Sequence, residues 1–326
     1  MQSIAIQIQR CGGPEVLEVT TVNVEAPGPG EVQLRQTAIG LNFADVYQRR
    51  GSHGPHQPTS FPLVMGGESA GEIEAVGSGV TGFQVGQKVA CLHPGAYQAV
   101  RNVPQTSLIR LPDHVSDEVA GATMVRGLTA EYLLRRLYVV KPGDPILIHS
   151  AAGGMGLILS QWARSLGAFV IGTVGADEKR DHAMAAGCHH VINYRSEDFA
   201  ARTLELTEGK GVAVVYDGVG KDVFFKSLEC MRPLAMAINY GTASGDVEGL
   251  NLNLLHAKSL IVARPTLRTF ISTPADIRRG TDALFDAIAR GMVSMSISNR
   301  YKLRDAQRAH ADLENRATTG VSVLLP

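Results

Sequence analysis

The sequence predicts an α/β protein in which a doubly wound parallel sheet is inserted into a mainly β domain. Three observations support that reading. Residues 1 to about 120 are short extended segments broken by turns, strand and helix alternate from Pro145 to about Arg264, and a last strand at Val321 to Leu325 returns to the first domain. Regular strand and helix alternation specifies parallel strands joined by crossover helices. The expected division is 1–125 for the first part of the β domain, 126–264 for a nucleotide-binding insertion and 265–326 for the return.

Taken in order, Ile4-Ala5-Ile6-Gln7-Ile8 alternates as a half-buried strand, and Val16 to Val24 is rich in β-branched residues. Pro27-Gly28-Pro29-Gly30 stops it before Val32 to Ile39 resumes an extended pattern. Closely spaced glycines then punctuate Glu72 to Val76 and Lys88 to Ala90, which implies a compact β domain. From about Ser116 the period turns helical, with Ala120, Leu128, Tyr132, Leu133 and Leu137 spread over two helices that end at Lys141-Pro142-Gly143.

Ile146-Leu147-Ile148 reads as a strand buried on both faces, and a glycine-rich turn follows at once. Leu157, Ile158, Trp162 and Leu166 recur at helical spacing, Gly167 stops that helix, and Phe169-Val170-Ile171 makes the next strand. Further on come a helix over Asp177 to Ala186 ended by Gly187, a strand at Val191 to Tyr194, and a helix over Ser196 to Thr207 capped by Ser196. Val212 to Tyr216 is a strand, Asp222 to Met231 a helix and Leu234 to Asn239 a strand, with Ala235 to Ile238 a plausible sheet edge for pairing across a twofold axis. Beyond Arg264 the reading is a helix over Ile277 to Ile288, a strand at Ser296 to Tyr301, a helix over Asp305 to Arg316 and the closing strand.

Within the glycine-rich turn, Ala151, Gly153 and Gly156 occupy the three positions of the dinucleotide fingerprint G-x-G-x-x-G, with a further glycine at Gly154. Small residues from Ala152 through Gly154, followed by Met155 and Gly156, let the backbone approach a pyrophosphate, and the helix start offers its free N–H groups to the anion. About 20 residues on, where a carboxylate would select NAD, the chain has Thr173, Val174 and Gly175. NADPH is therefore the expected cofactor, with Lys179 and Arg180 near enough in sequence to pair with a 2′-phosphate. Asp177-Glu178 either charges the N-terminus of the next helix or opposes a phosphate there. The cofactor is expected outside the carboxyl ends of the strands and to meet the substrate in the cleft between domains.

Composition narrows the function classes. Lys plus Arg is 31 and Asp plus Glu is 31 in 326 residues, so there is no field of one sign to gather nucleic acid or an anionic membrane surface. The first residues alternate like a strand and lack the regions of a signal peptide, and no apolar run approaches spanning length. Cys11, Cys91, Cys188 and Cys230 are scattered, as expected of thiols in a reducing cytoplasm. His53 and His56 stand in a loop rich in Gly and Pro, and the adjacent His189 and His190 point apart on a strand, so none is expected to bind metal.

Over nearly its whole length the chain resembles the zinc-free medium-chain dehydrogenase/reductases, close to NADPH:quinone oxidoreductases of the ζ-crystallin type. The resemblance lies in Gly12-Gly13-Pro14-Glu15-Val16-Leu17, Asn42-Phe43-Ala44-Asp45-Val46-Tyr47, Gly67-Glu68-Ser69-Ala70-Gly71, Gly127-Leu128-Thr129-Ala130, and Ala151 to Gly156. It continues in Gly172 to Gly175, Val191 to Tyr194, Val215-Tyr216-Asp217, and Asp305 to His310. It implies a GroES-like β domain made from both ends of the chain, a Rossmann domain between them, a homodimer and a small quinone as substrate. Alcohol dehydrogenases of the superfamily have a catalytic Cys where this chain has Asn42 and a His where it has Gly67, and their four-cysteine lobe has no counterpart here. Hydride transfer by the nicotinamide alone is the implied chemistry.

The resemblance also implies roles for particular residues. Asn42 and Tyr47 line the nicotinamide and substrate pocket as catalytic donors to a carbonyl oxygen, and Thr129 bonds the carboxamide. On side-chain chemistry alone, Tyr47 reads either as a donor or as a half-buried core aromatic, and Asn42 either as a donor or as a turn residue. Lys179 and Tyr194 match binders of the 2′-phosphate, with Arg180 a solvated helix charge. Gly218, Tyr240, Gly241 and Ser244 supply the adenine and nicotinamide walls, and Arg316 either reaches the cofactor or serves as a helix C-terminal cation. Arg126 stands where close relatives often have lysine. Two alternatives accompany the quinone reading: reduction of other α,β-unsaturated carbonyls, and a nucleotide-binding module with little turnover.

Overall fold

A computed structural model describes residues 1–52 and 57–326, so His53 and His56 lie outside the described residues. The chain divides into two compact units, Met1–Val125 with Met295–Pro326, and Arg126–Ser294.

The first unit is built mainly from β1 (Gln2–Ile8), β2 (Glu18–Asn23), β3 (Glu31–Gly40), β4 (Leu63–Val64), β5 (Glu68–Val76), β6 (Lys88–Leu92), β7 (Val100–Pro104) and β8 (Leu108–Arg110). Helix α1 (Phe43–Arg50) lies between β3 and β4, and α2 (Asp117–Tyr132) carries the chain out of the unit. The expected strands are present, and β4, β7 and β8 join them as short segments without a clear alternating pattern. β1 pairs antiparallel with β2 and β4. The larger sheet holds β3, β5, β6 and β8, with β7 also against β3. Inward residues alternate along these strands, and Ile6, Ile8, Ile39, Leu41 and Tyr97 are buried in one cluster while Val32, Leu34, Ile73 and Val89 fill another. Removing each such aliphatic side chain from water contributes roughly 1.5–3 kcal/mol.

The two helices expected before the Lys141-Pro142-Gly143 break are one: α2 runs on into a π-helical turn at Leu133–Leu137. Gly127 does not break it, because its bare Cα packs under Leu284; a Cβ there would stand 2.4 Å from Leu284 Cδ2.

The second unit contains β9 (Pro145–Ile148), α3 (Gly154–Ser165), β10 (Phe169–Val174), α4 (Arg180–Ala185), β11 (His190–Asn193), α5 (Phe199–Leu206) and β12 (Val212–Asp217). It continues with α6 (Phe224–Ser227), β13 (Met231–Asn239), α7 (Asn253–His256), β14 (Ile261–Ala263), α8 (Leu267–Phe270) and α9 (Pro274–Ala289). Its six strands are all parallel in the order β11-β10-β9-β12-β13-β14. The order reverses beside β9, which puts the topological switch point at the glycine-rich turn.

Three local expectations are corrected. Ala235 to Ile238 is not an edge, since β14 pairs with Met236–Ile238 and itself forms the border. The cap of α5 is Asp198, whose carboxylate accepts from the N–H groups of Ala200 and Ala201, both at 3.1 Å, and not Ser196. The helix expected over Asp222 to Met231 shortens to α6 followed by a 3₁₀ turn at Leu228–Cys230.

After Ser294 the chain rejoins the first unit through β15 (Ile297–Lys302), α10 (Ala306–Glu314) and β16 (Val321–Leu325), with β16 between β15 and β3. Among the described residues no helix is long and apolar enough to cross a membrane.

Candidate cofactor and reaction site

In the second unit the site begins where β9 ends. Ile146, Leu147 and Ile148 are fully buried, and the chain then turns through Ser150, whose φ of 55° is in the left-handed region. The Ala151 N–H donates to Thr173 O at 2.9 Å and the Gly153 N–H to Ser150 O at 2.9 Å, so the turn is tied to β10 and closed on itself. Gly153 sits at the N-cap of α3 with no side chain to occupy it. The first-turn amides of Gly154, Met155 and Gly156 therefore point out of the helix start toward any bound anion. Gly156 packs the helix directly on the turn: a Cβ there would meet Ser150 O at 2.3 Å and Ala151 Cα at 2.6 Å. Ala151 and Ala152 are buried beneath it.

The tips of the neighbouring strands add the other residues expected from the sequence. Gly175 follows β10, and a Cβ there would come within 2.8 Å of the phenol oxygen of Tyr194, just past β11. Lys179 ends the 3₁₀ turn Asp177–Lys179 that opens α4. Arg180 is not a solvated charge. Its guanidinium donates to Asp177 Oδ1 at 2.7 Å, to Val191 O at 2.5 Å and to Glu197 Oε1 at 2.5 Å. Asp177 also accepts from Asn193 Nδ2 at 3.1 Å, and the Arg180 and Asn193 bonds hold its carboxyl below the usual carboxylate range. Its charge is thus committed to its own turn.

At β12 the buried Asp217 organises the next loop. Its Oδ1 accepts from the N–H groups of Val219 and Gly220 at 2.7 and 2.9 Å, and its Oδ2 from Asn239 Nδ2 at 2.9 Å. Gly218 and Gly241 meet below the ring of Tyr240: a Cβ on Gly218 would stand 2.8 Å from that ring, and one on Gly241 would stand 2.9 Å from Gly218 O. The Ser244 hydroxyl donates to Val219 O at 2.8 Å and accepts from the Asp222 N–H at 3.1 Å, so it staples the loop.

Thr173 stands apart from these. It is fully buried, and its hydroxyl lies 2.9 Å from His149 Nδ1. On the far side of the ring, Ser227 Oγ lies 2.8 Å from His149 Nε2 and gives its own proton to Val223 O at 2.7 Å. His149 Nε2–H must then donate to Ser227, and Nδ1 accepts from Thr173. Burial drives the His149 pKa down to about 4, opposed by nearby Asp217, and keeps the ring neutral. His189, read as one of an unliganded pair, accepts from the Val170 N–H through Nδ1 at 3.0 Å. Thr129 lies half-buried on α2.

In the first unit Asn42 is the N-cap of α1. Its backbone N–H donates to Asp45 Oδ2 at 2.8 Å and its side-chain Nδ2 to Glu68 Oε1 at 2.7 Å. Glu68 is fully buried, and its other oxygen accepts from the Val125 N–H at 2.6 Å. Tyr47, one turn on, is half-buried with its ring 6.1 Å from that of Phe43. Arg316 follows α10 with φ of 58°, and its N–H closes on Leu313 O at 3.2 Å. The structure thus gathers most of the expected cofactor residues at the carboxyl ends of one sheet, and Asn42 and Tyr47 on one helix. Glu68, Asp217 and His149 were missed as determinants, although Glu68 and Asp217 lay in the matched motifs; the sequence shows no partner for a residue that acts through distant contacts.

Among comparisons with known proteins, the alcohol dehydrogenase GroES-like domain matches residues 28–142 and the zinc-binding dehydrogenase domain matches residues 154–287. A quinone oxidoreductase of Pseudomonas aeruginosa is 46% identical over 98% of this chain and 99% of its own length. A 2-haloacrylate reductase of a Burkholderia species is also 46% identical, over 99% of each chain. The crystal structure of Escherichia coli quinone oxidoreductase complexed with NADPH superposes with a TM-score of 0.95 at 43% identity, covering 99% of this chain and 100% of that one.

Proposed function

This chain belongs to the quinone oxidoreductase family of the medium-chain dehydrogenase/reductases and is an oxidoreductase, and from that premise we propose that it moves hydride from NADPH to a quinone without a metal. The observation that carries the cofactor reading is the amide-lined turn from Ser150 to Gly156, where the missing Cβ of Gly156 brings α3 onto the end of β9. A dinucleotide fits such a cradle by its pyrophosphate, and when bound it supplies the hydride. Gly218, Tyr240, Gly241 and Ser244 would shape the adjacent wall, Thr129 would hold the carboxamide, and Lys179 and Tyr194 would take the 2′-phosphate. The pairing of Asp177 with Arg180 supports NADPH over NADH, because that carboxylate is matched by a cation of its own turn and not left alone to repel a phosphate. Arg316 would approach from the C-terminal segment, as the family resemblance suggests.

At the reacting end, Asn42 and Tyr47 present an amide and a phenol to an acceptor oxygen that becomes more negative as hydride arrives. One hydride with one proton from solvent converts a quinone to its hydroquinone. The direct Asn42 to Glu68 hydrogen bond supports the metal-free reading, since it commits the carboxylate that a metal would need. We place the first unit in the reaction role and the second in the cofactor role. A homodimer in the cytoplasm accords with the bare β14 border, with Ile261 and the nearby Leu234 exposed on the same sheet, and with four free cysteines.

The 2-haloacrylate reductase relative favours a second reading, reduction of an activated carbon–carbon double bond, which needs the same hydride and the same oxygen donors. Purified protein would be mixed with NADPH and either 1,4-benzoquinone, 9,10-phenanthrenequinone or 2-chloroacrylate, and nicotinamide absorbance followed. Turnover with a quinone supports the first reading; turnover with chloroacrylate alone replaces it with the second; saturable NADPH binding with no turnover overturns both.

A further inference from the structure

One buried chain of polar groups in the first unit ends at Asn42 yet has no part in the chemistry described so far. Arg49 on α1 has a fully buried side chain, paired with Glu314 Oε1 at 2.6 Å and donating through Nε to Gly12 O at 3.1 Å. Its Nη1 lies 3.1 Å from His310 Nδ1 on α10. His310 Nε2 lies 3.0 Å from the Tyr97 phenol oxygen, and Tyr97 donates to Asp45 Oδ2 at 3.2 Å. That same Asp45 oxygen accepts the Asn42 N–H at 2.8 Å.

As far as Asp45 the chain has only one direction. A guanidinium has donors and no acceptor, so His310 Nδ1 must accept and Nε2 must hold the proton. Tyr97 spends its single proton on Asp45 and therefore receives the Nε2–H of His310. Tyr97 is fully buried, burial and the adjacent Asp45 carboxylate raise its pKa, and it stays a donor. Each group donates to the next as far as Asp45, whose carboxylate also accepts the backbone N–H of the residue that caps α1.

We propose that His310 and Tyr97 are positioning residues, which hold Asp45 and through it the Asn42 cap in one orientation by this directed relay from Arg49. The inference rests on the reading of Asn42 as an amide at the reaction site. It adds that α10, remote in sequence, is tied to the start of α1 by polarity as well as by packing. Hydrophobic contact alone would leave the tautomer and the direction of each bond undetermined.

The test compares Tyr97→Phe, His310→Leu and His310→Gln in the full-length protein. Glutamine can accept from Arg49 and donate to Tyr97 at once, whereas leucine can do neither. Hydrogen-exchange mass spectrometry would follow the peptide at the start of α1 against one from β12, and kcat with NADPH and 1,4-benzoquinone would be measured alongside. Expected are exchange at the α1 start and a loss of kcat each on the order of tenfold in Tyr97→Phe and His310→Leu, with β12 unchanged and both recovered in His310→Gln. Unchanged α1 exchange in Tyr97→Phe, equal loss in His310→Gln and His310→Leu, or faster exchange in β12 as well would each overturn the proposal. Should His310→Leu fail to fold, Tyr97→Phe and His310→Gln decide by the same criteria. If the unaltered protein turns over none of the acceptors, the functional reading has failed, and the exchange pattern alone judges the relay.

Discussion

The Thr173 hydroxyl faces His149 in the interior, a direction no sequence pattern at a strand tip could reveal. Thr173→Val is expected to lower stability by about 1–3 kcal/mol, because His149 loses a donor inside the protein, while NADPH affinity stays within about twofold. Urea unfolding together with a cofactor titration checks both halves. Lys179 is the opposite case, a side chain on the turn after β10 beside a carboxylate already committed to Arg180. Lys179→Ala should weaken NADPH on the order of tenfold and leave NADH nearly unaffected, as calorimetry with the two nucleotides would show. The glycine turn was legible because its last fingerprint position has a steric reason, Gly156 against Ser150 O. The roles of Glu68 and His149 were not, since each is set by partners far away in the chain.

At the scale of elements, strong periodicity was read correctly and weak punctuation was not. β9, α3 and β10 follow from a buried apolar run, a helical stripe and a stop at Gly167. The α5 start was misplaced by two residues because Ser196 and Asp198 both suit a cap, and only Asp198 has its carboxylate aimed at the first-turn amides. β14 escaped notice altogether: three residues are too few for a pattern, yet they turn β13 into an interior strand. As the sheet border β14 exposes Ile261, so under the proposed homodimer Ile261→Lys should shift the protein toward monomer on size exclusion with multi-angle scattering, leaving the fold intact by circular dichroism. An unchanged elution would remove that border as the pairing surface.

For the whole molecule, pH is a test of the two buried histidine rings. His149 is pushed down to about 4 and His310 to about 3, both chiefly by burial. The unfolded chain therefore binds protons near the ordinary histidine pKa that the folded chain refuses, and folding loses stability as pH falls below about 6.5. Each ring should cost on the order of 2 kcal/mol by pH 5, with little change between pH 7 and pH 8. Urea midpoints across that range check the sign; a midpoint steady down to pH 5 would show the rings are not excluded from protonation. The fold class was legible in the sequence because strand and helix alternation states a parallel sheet directly. The first unit was less so, since its short strands owe their places to partners brought from far along the chain, as β16 is brought to β3.

That last pairing has a consequence for how the protein is made. β3 is translated long before its partner, and Ile39 and Gly40 find Leu324 and Val323 only once the chain has been made as far as β16. The contiguous second unit, complete by Ser294, can fold as it leaves the ribosome while the first must wait with that part of its sheet unpaired. A stalled or prematurely released nascent chain would then expose β3 to chaperones, or to a neighbouring chain in the same unfinished state.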